Sequence, residues 1–138
     1  MYKKLGFFVL LAVATIMYLF LTNFGLVKKL DGLGFLNVPE EFKVSIAAKG
    51  LSGPRVILFD TKGKMLVSET KEGRVSILED KDSNGDFETK RILIDKLKSP
   101  HGLAFYTDDK KIDYLYIAEV QQVARYTYDI NTGKIANP

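Results

Sequence analysis

Residues 51–85 read LSGPRVILFDTKGKMLVSETKEGRVSILEDKDSNG, and residues 97–133 read LKSPHGLAFYTDDKKIDYLYIAEVQQVARYTYDINTG. Laid over one another, the two stretches share landmarks in one order. Pro54 meets Pro100, 46 positions on, Val67-Ser68-Glu69 meets Ile117-Ala118-Glu119, Val75 meets Val123, and Gly85 meets Gly133. Each unit runs as a leading loop with proline, an apolar strand, a turn, a strand ending in glutamate, a third strand and an acidic turn. The apolar runs are four to seven residues long, rich in Val, Ile, Tyr and Phe, and bounded by Gly, Asp, Asn and Pro. That is the composition of strands and not of helices. A repeat in the upper forties made of about four short strands is the mark of a propeller blade. The competing architecture is a β-sandwich whose halves resemble each other by chance.

Working outward, strands are expected at residues 55–59, 65–69, 74–78 and 91–95, which complete one blade. Those at 102–106, 114–119 and 123–129 supply three strands of a second, with INTGKIANP where a turn should lead to the fourth. Residues 43–48 alternate, with Val44 and Ile46 on one face, and suit a strand that closes a ring with a last blade. No helical period appears beyond residue 30. A propeller needs several blades, because each sheet covers its faces with both neighbours. Two blades leave apolar faces and open edges in water. The expectation is therefore an all-β domain over residues 42–138, about two blades of a propeller, forming the N-terminal part of a longer protein.

In front of it, residues 31–41 read as a glycine- and turn-rich linker. Residues 5–27, LGFFVLLAVATIMYLFLTNFGLV, are 23 positions without a charge. At ~1.5 Å per residue such a helix spans a hydrocarbon core of ~30 Å. Residues 1–30 thus predict one transmembrane helix, an uncleaved single-pass anchor with the rest of the chain extracytoplasmic, periplasmic or at the cell surface. A signal segment cut after Ala12-Val13-Ala14 is the competitor.

The 138 residues carry a formal charge of +3. Lys3, Lys4, Lys28 and Lys29 account for the excess: beyond residue 30, the remaining 16 Lys and Arg face 17 Asp and Glu. The basicity belongs to the flanks of the apolar segment, so a nucleic-acid partner has no support. With no cysteine, disulfides, thiol nucleophiles and thiolate metal sites are excluded. P-loop, dinucleotide-binding and serine-elbow motifs are also missing.

Four groups of residues could carry chemistry. In LEDKDSNGDFET, residues 78–89, Asp80, Asp82 and Asn84 alternate before Gly85, as in the first half of a calcium loop, with Asp86 and Glu88 where later ligands fall. Position twelve is Arg91 where a bidentate glutamate would sit, and no helix flanks the loop. A solvated polar turn is the alternative. His101 is the single histidine and the one side chain whose ordinary titration suits proton transfer near neutrality. It follows Pro100 in a blade-leading loop, as Arg55 follows Pro54. Both are expected at the end of the propeller where such loops surround the channel. Glu69 and Glu119, in register, point to a structural role, bonding to a neighbouring blade's backbone. Tyr114, Tyr116, Tyr126 and Tyr128 alternate and are expected to stack on a sheet face.

Taken in order, GLSGPR, LVSETKEGRV, LEDKDSNGDFE and the series KSPHGLAF, YLYIAE and VARYTYD resemble the opening of the glucose/sorbosone dehydrogenase family over residues 38–130. That resemblance implies a six-bladed propeller and oxidation of a sugar or aldose with pyrroloquinoline quinone (PQQ) and calcium. Electrons would pass to a respiratory acceptor. It implies that the catalytic histidine lies in a later blade beyond Pro138, with His101 the one catalytic candidate in this chain, and that the chain alone is inactive. As channel-facing, cofactor-binding candidates, Arg55 either presents positive charge to an anionic quinone or pairs with an acid, and His101 either lines the ligand channel or is a loop histidine satisfied by hydrogen bonds. The resemblance also explains residues 43–48 as the ring-closing strand. A non-catalytic cell-surface propeller binding carbohydrate or protein is the other reading, since fold does not choose between them.

Overall fold

The computed structural model describes residues 36, 38, 39 and 41–136. The expected membrane segment and most of the linker lie outside them. Among the described residues, no helix is long and apolar enough to cross a membrane. The chain divides into two units, Met1–Ser45 and Ile46–Pro138. In the first, Phe42 donates its backbone N–H to Pro39 O (2.9 Å), and Leu36, Val38, Phe42 and Val44 are exposed.

The second unit holds two four-stranded antiparallel meanders. One is β1 (Pro54–Phe59), β2 (Met65–Glu69), β3 (Arg74–Glu79) and β4 (Thr89–Ile94). The other is β5 (Gly102–Thr107), β6 (Asp113–Ala118), β7 (Val123–Asp129) and β8 (Lys134–Ala136). Strand order follows chain order in both, and β1 runs beside β5. Short aspartate turns fix the hairpins. Asp60 Oδ1 accepts from the amides of Lys62 and Lys64 (2.8 and 2.9 Å), and Asp108 Oδ1 does the same for Lys110 and Ile112 (3.0 and 2.9 Å). These carboxylates replace backbone partners that the turn cannot supply.

Two expectations are corrected here. Residues 43–48 form no strand, because among the described residues no neighbouring strand offers a ladder for their amides. Among the described residues, only Ala47 O of this stretch is engaged, by the Phe87 N–H (2.8 Å). Conversely, residues 134–136 do form the fourth strand of the second sheet, paired as Thr127 with Ala136 and Tyr128 with Ile135. Both sheets are thus complete.

The period of two sorts each sheet into two faces. The back face of the first sheet carries Leu58, Leu66, Val75 and Ile77; the front face of the second carries Leu103, Phe105, Leu115, Ile117 and Tyr128. These meet in one core, with Leu66, Val75, Leu115 and Ile117 wholly buried. Polar ties surround it. The Tyr128 hydroxyl donates to buried Asp60 Oδ2 (2.7 Å), and Arg91 Nη2 donates to Thr132 O and Gly133 O (2.9 and 2.7 Å). Burial, and then Asp60, push the Tyr128 hydroxyl well above its ordinary pKa. The front face of the first sheet has its own small cluster, in which Ala48, Leu51 and Phe87 cover Met65, Val67 and Leu78. Ala48 and Leu51 stand one repeat before Ile94 and Leu97, which cover the corresponding part of the second sheet.

The four tyrosines, expected from their alternation to stack on one sheet face, are instead split between the two faces. Register pairs Leu115 with Tyr126, so Tyr126 and Tyr128 turn toward the core while Tyr114 and Tyr116 lie on the opposite side. There the Arg125 guanidinium stacks 4.6 Å from the Tyr114 ring centre.

Candidate functional site

Antiparallel meanders gather alternate connections at each end of the sheets. The leading loops before β1 and β5 and the turns after β2 and β6 share one end. The turns after β1, β3, β5 and β7 share the other. The two candidate sites are therefore separated: Arg55 and His101 belong to the first end, and the acidic loop between β3 and β4 to the second.

At the first end, two repeated glutamates fix the leading loops. Glu69 is fully buried and accepts the Ser52 amide (2.7 Å), the Ser76 hydroxyl, Arg74 Nε and Nη2 (3.0 Å each) and Lys90 Nζ (3.0 Å). Burial raises its carboxyl pKa, but Arg74, Ser76, the Ser52 amide and Lys90 outweigh that effect and hold it at about 2. One repeat later, Glu119 accepts the Lys98 amide and Gln122 Nε2 (2.8 Å). Ser52 and Lys98 each stand two positions before the loop proline. Each glutamate therefore ties down the leading loop of its own blade, not the neighbouring blade expected from the sequence. Thr70 joins the two loops as a donor to both: its amide donates to Gly53 O (3.1 Å) and its hydroxyl to Pro100 O (2.7 Å).

On these anchored loops Arg55 and His101 occupy the same position in consecutive repeats, and both are exposed. Arg55 sits at a register break between Pro54 and Val56 that leaves it out of the β1–β2 pairing. Among the described residues its guanidinium has no hydrogen-bond or ion-pair partner. The His101 amide donates to Ala118 O (2.9 Å), and ring Nδ1 lies 3.1 Å from Ser99 O. No carboxylate orients that ring, so among the described residues nothing prepares His101 as a general base. The same end opens a polar pocket of 330 Å³, lined by Lys96, Lys98, Gln121, Gln122 and Tyr126 among others. No motif in the chain pointed to this pocket, because its wall joins the end of β4 to the start of β7.

At the opposite end, oxygens of Asp80, Asp82 and Glu88 come within 4.8 Å of one another. Asp80 also accepts the amides of Asn84 and Gly85 (3.2 and 2.8 Å), and Gly85 adopts φ 93° to close the bend. Asn84 Oδ1 accepts the Asp86 amide (2.7 Å) and its Nδ2 donates to Asp82 (3.0 Å). Three of the five expected ligands therefore converge, whereas Asn84 is engaged in the turn itself.

Two four-stranded meanders, stacked face to face with their first strands side by side, have the arrangement of consecutive propeller blades. The chain belongs to the TrAA12-like family, whose match covers residues 36–138. Its likeness to the quinoprotein sugar dehydrogenases, expected from the sequence, holds. Among solved structures it is similar to the holo form of the pyranose dehydrogenase PQQ domain from Coprinopsis cinerea, at 26% identity and a TM-score of 0.62, over 73% of this chain and 24% of that one. It is also similar to the calcium structure of a Trichoderma reesei Carbohydrate-Active Enzymes Family AA12 protein, at 31% identity and a TM-score of 0.52, over 63% of this chain and 21% of that one. No curated protein matches the chain. The chain thus spans less than a quarter of the length of these two structures.

Proposed function

We propose that this chain is the opening of a membrane-anchored, PQQ-dependent sugar or aldose dehydrogenase, with its blades outside the cytoplasm and a respiratory acceptor taking its electrons. Family membership and the likeness to a PQQ domain support the enzyme class. The uncharged run at residues 5–27 supports the anchor. The observation that carries the cofactor assignment is Arg55: an exposed guanidinium, without a partner among the described residues, on a loop held by Glu69. A planar cation with a fixed fork of donors fits the carboxylates of PQQ. Bound PQQ would supply a two-electron acceptor. This chain's part is to hold it, Arg55 by charge and His101 by lining the same end.

Equilibrium PQQ titration tests this reading. Arg55→Gln should weaken binding at least about tenfold, equal to losing ~1.4 kcal/mol of a charge-assisted bond. The unchanged chain with PQQ, calcium, glucose and a dye should show no turnover. Equal PQQ affinity in the variant, or turnover by this chain, contradicts the proposal.

For the acidic loop we propose calcium, because the three converging carboxylates offer hard oxygen donors. Titration with calcium alone should give saturable binding that Asp80→Asn weakens at least about tenfold. No binding to the unchanged chain would leave the loop a polar turn.

A further inference from the structure

The turn after β2, residues 70–73, lies between the two leading loops and is bonded to each. Toward the loop of its own blade, the Thr70 amide donates to Gly53 O (3.1 Å) and the Ser52 hydroxyl donates to Glu72 Oε1 (3.0 Å). The Lys71 stem fills the space that a Cβ on Gly53 would need. Toward the loop of the next blade, the Thr70 hydroxyl donates to Pro100 O (2.7 Å) and Gly73 O accepts the Leu97 amide (2.8 Å). A Cβ on Gly73 would strike Leu97 O, and Gly73 stands at φ 61°, so only glycine lets the second loop approach this closely. Pro100 is itself wholly buried, so the hydroxyl is anchored to a fixed point. Arg55 follows Gly53 by two positions, and His101 directly follows Pro100. Val120 stands one repeat after Thr70, and its amide likewise bonds the loop of its own blade, at Lys98 O (3.2 Å). Valine has no hydroxyl to give. The amide contact therefore belongs to the blade plan, whereas the hydroxyl contact is particular to the place where the Arg55 and His101 loops adjoin.

We infer that Thr70 is a positioning residue for cofactor binding: its hydroxyl sets the His101 loop against the Arg55 loop, and so fixes the spacing at which the two side chains meet one ligand. The inference rests on the PQQ reading above for the identity of that ligand. Glu69 and Glu119 each hold a loop to its own sheet and leave open how far apart the two loops stand. The ties of Tyr128 and Arg91 between the sheets lie at the opposite end. Among the described residues, the hydrogen bonds that cross from blade to blade at this end are those of the turn 70–73. The Thr70 hydroxyl bond joins residues 30 positions apart, and it restrains a movement that neither sheet's own ladder restrains.

Thr70→Val places there the residue that the second repeat has, with the amide kept and the hydroxyl gone. In the full chain in detergent, without PQQ, amide hydrogen exchange at Leu97 should become about fivefold faster, the effect of losing one neutral hydrogen bond. The Ser52 amide, held by Glu69, should keep its rate. Equilibrium titration should show PQQ bound about fivefold more weakly. Thr70→Ser should restore both values. In a His101→Ala background, Thr70→Val should leave PQQ affinity unchanged, because its effect passes through the His101 loop. A side chain with only a structural role would speed exchange at Ser52 as well and weaken binding in both backgrounds. The inference is overturned by unchanged exchange at Leu97, by equal acceleration at Ser52, by failure of serine to restore, or by equal weakening in the His101→Ala background. It is also overturned if Thr70→Val binds PQQ normally while Arg55→Gln does not. If Arg55→Gln binds PQQ as tightly as the unchanged chain, the cofactor reading fails by itself, and the exchange rates still decide whether Thr70 sets the loops.

Discussion

Glu69→Ala is expected to lower the unfolding free energy by about 3–5 kcal/mol, the usual cost of breaking a buried ionic cluster by removing one partner. The carboxylate serves four residues at once, and its loss strands the Ser52 amide and the Ser76 hydroxyl while leaving Arg74 and Lys90 without their anion. Glu119→Ala should cost less, about 1–3 kcal/mol, because only an amide and a glutamine side chain lose a partner there. Urea midpoints at constant slope check both values. The pH dependence has a definite sign. A carboxyl held at about 2, against an ordinary 4.5, stabilises the fold above the unfolded value. That contribution should disappear as pH falls from about 4.5 to about 2. In Glu69→Gln the corresponding loss between these values should be absent.

Ile117→Ala should cost about 2–5 kcal/mol. Its side chain is wholly buried in the core shared by the two sheets, so the void has protein on every side. Val123→Ala removes methyl groups of a similar kind from an exposed face, and should cost less than about 0.5 kcal/mol in monomer stability. The comparison separates the covered face from the open one with a single technique, thermal or denaturant unfolding at low protein concentration.

Much of the fold was legible because a propeller blade is written locally. The apolar runs fixed β2 and β7 to the residue, since turn-forming Gly63, Lys64, Gln121 and Gln122 bound them sharply. The fourth strand of the second sheet was missed because Lys134, Ile135 and Ala136 are too short a run to show alternation; pairing with Thr127 to Asp129 makes them a strand. Residues 43–48 failed in the opposite way. They alternate correctly, but alternation creates a strand only where a ladder is available. Register explains the tyrosines, which share a spacing but not a face.

The candidate site was legible at the level of position. Pro54-Arg55 and Pro100-His101 stood out by repetition, and the structure places both on one end. That Glu69 ties its own blade's loop could not be read, because Ser52 lies 17 residues away and only folding brings it near. Nor could the separation of the acidic loop from Arg55 and His101, which follows from the direction each strand runs.

Everything rests on the two sheets being consecutive blades joined through one core. Native-state hydrogen exchange tests this most directly. If they are, the amides of β2 and β6 are protected to one common opening free energy, and Ile117→Ala lowers both by the same amount. If β2 keeps its protection while β6 loses it, the sheets are independent units and the account fails.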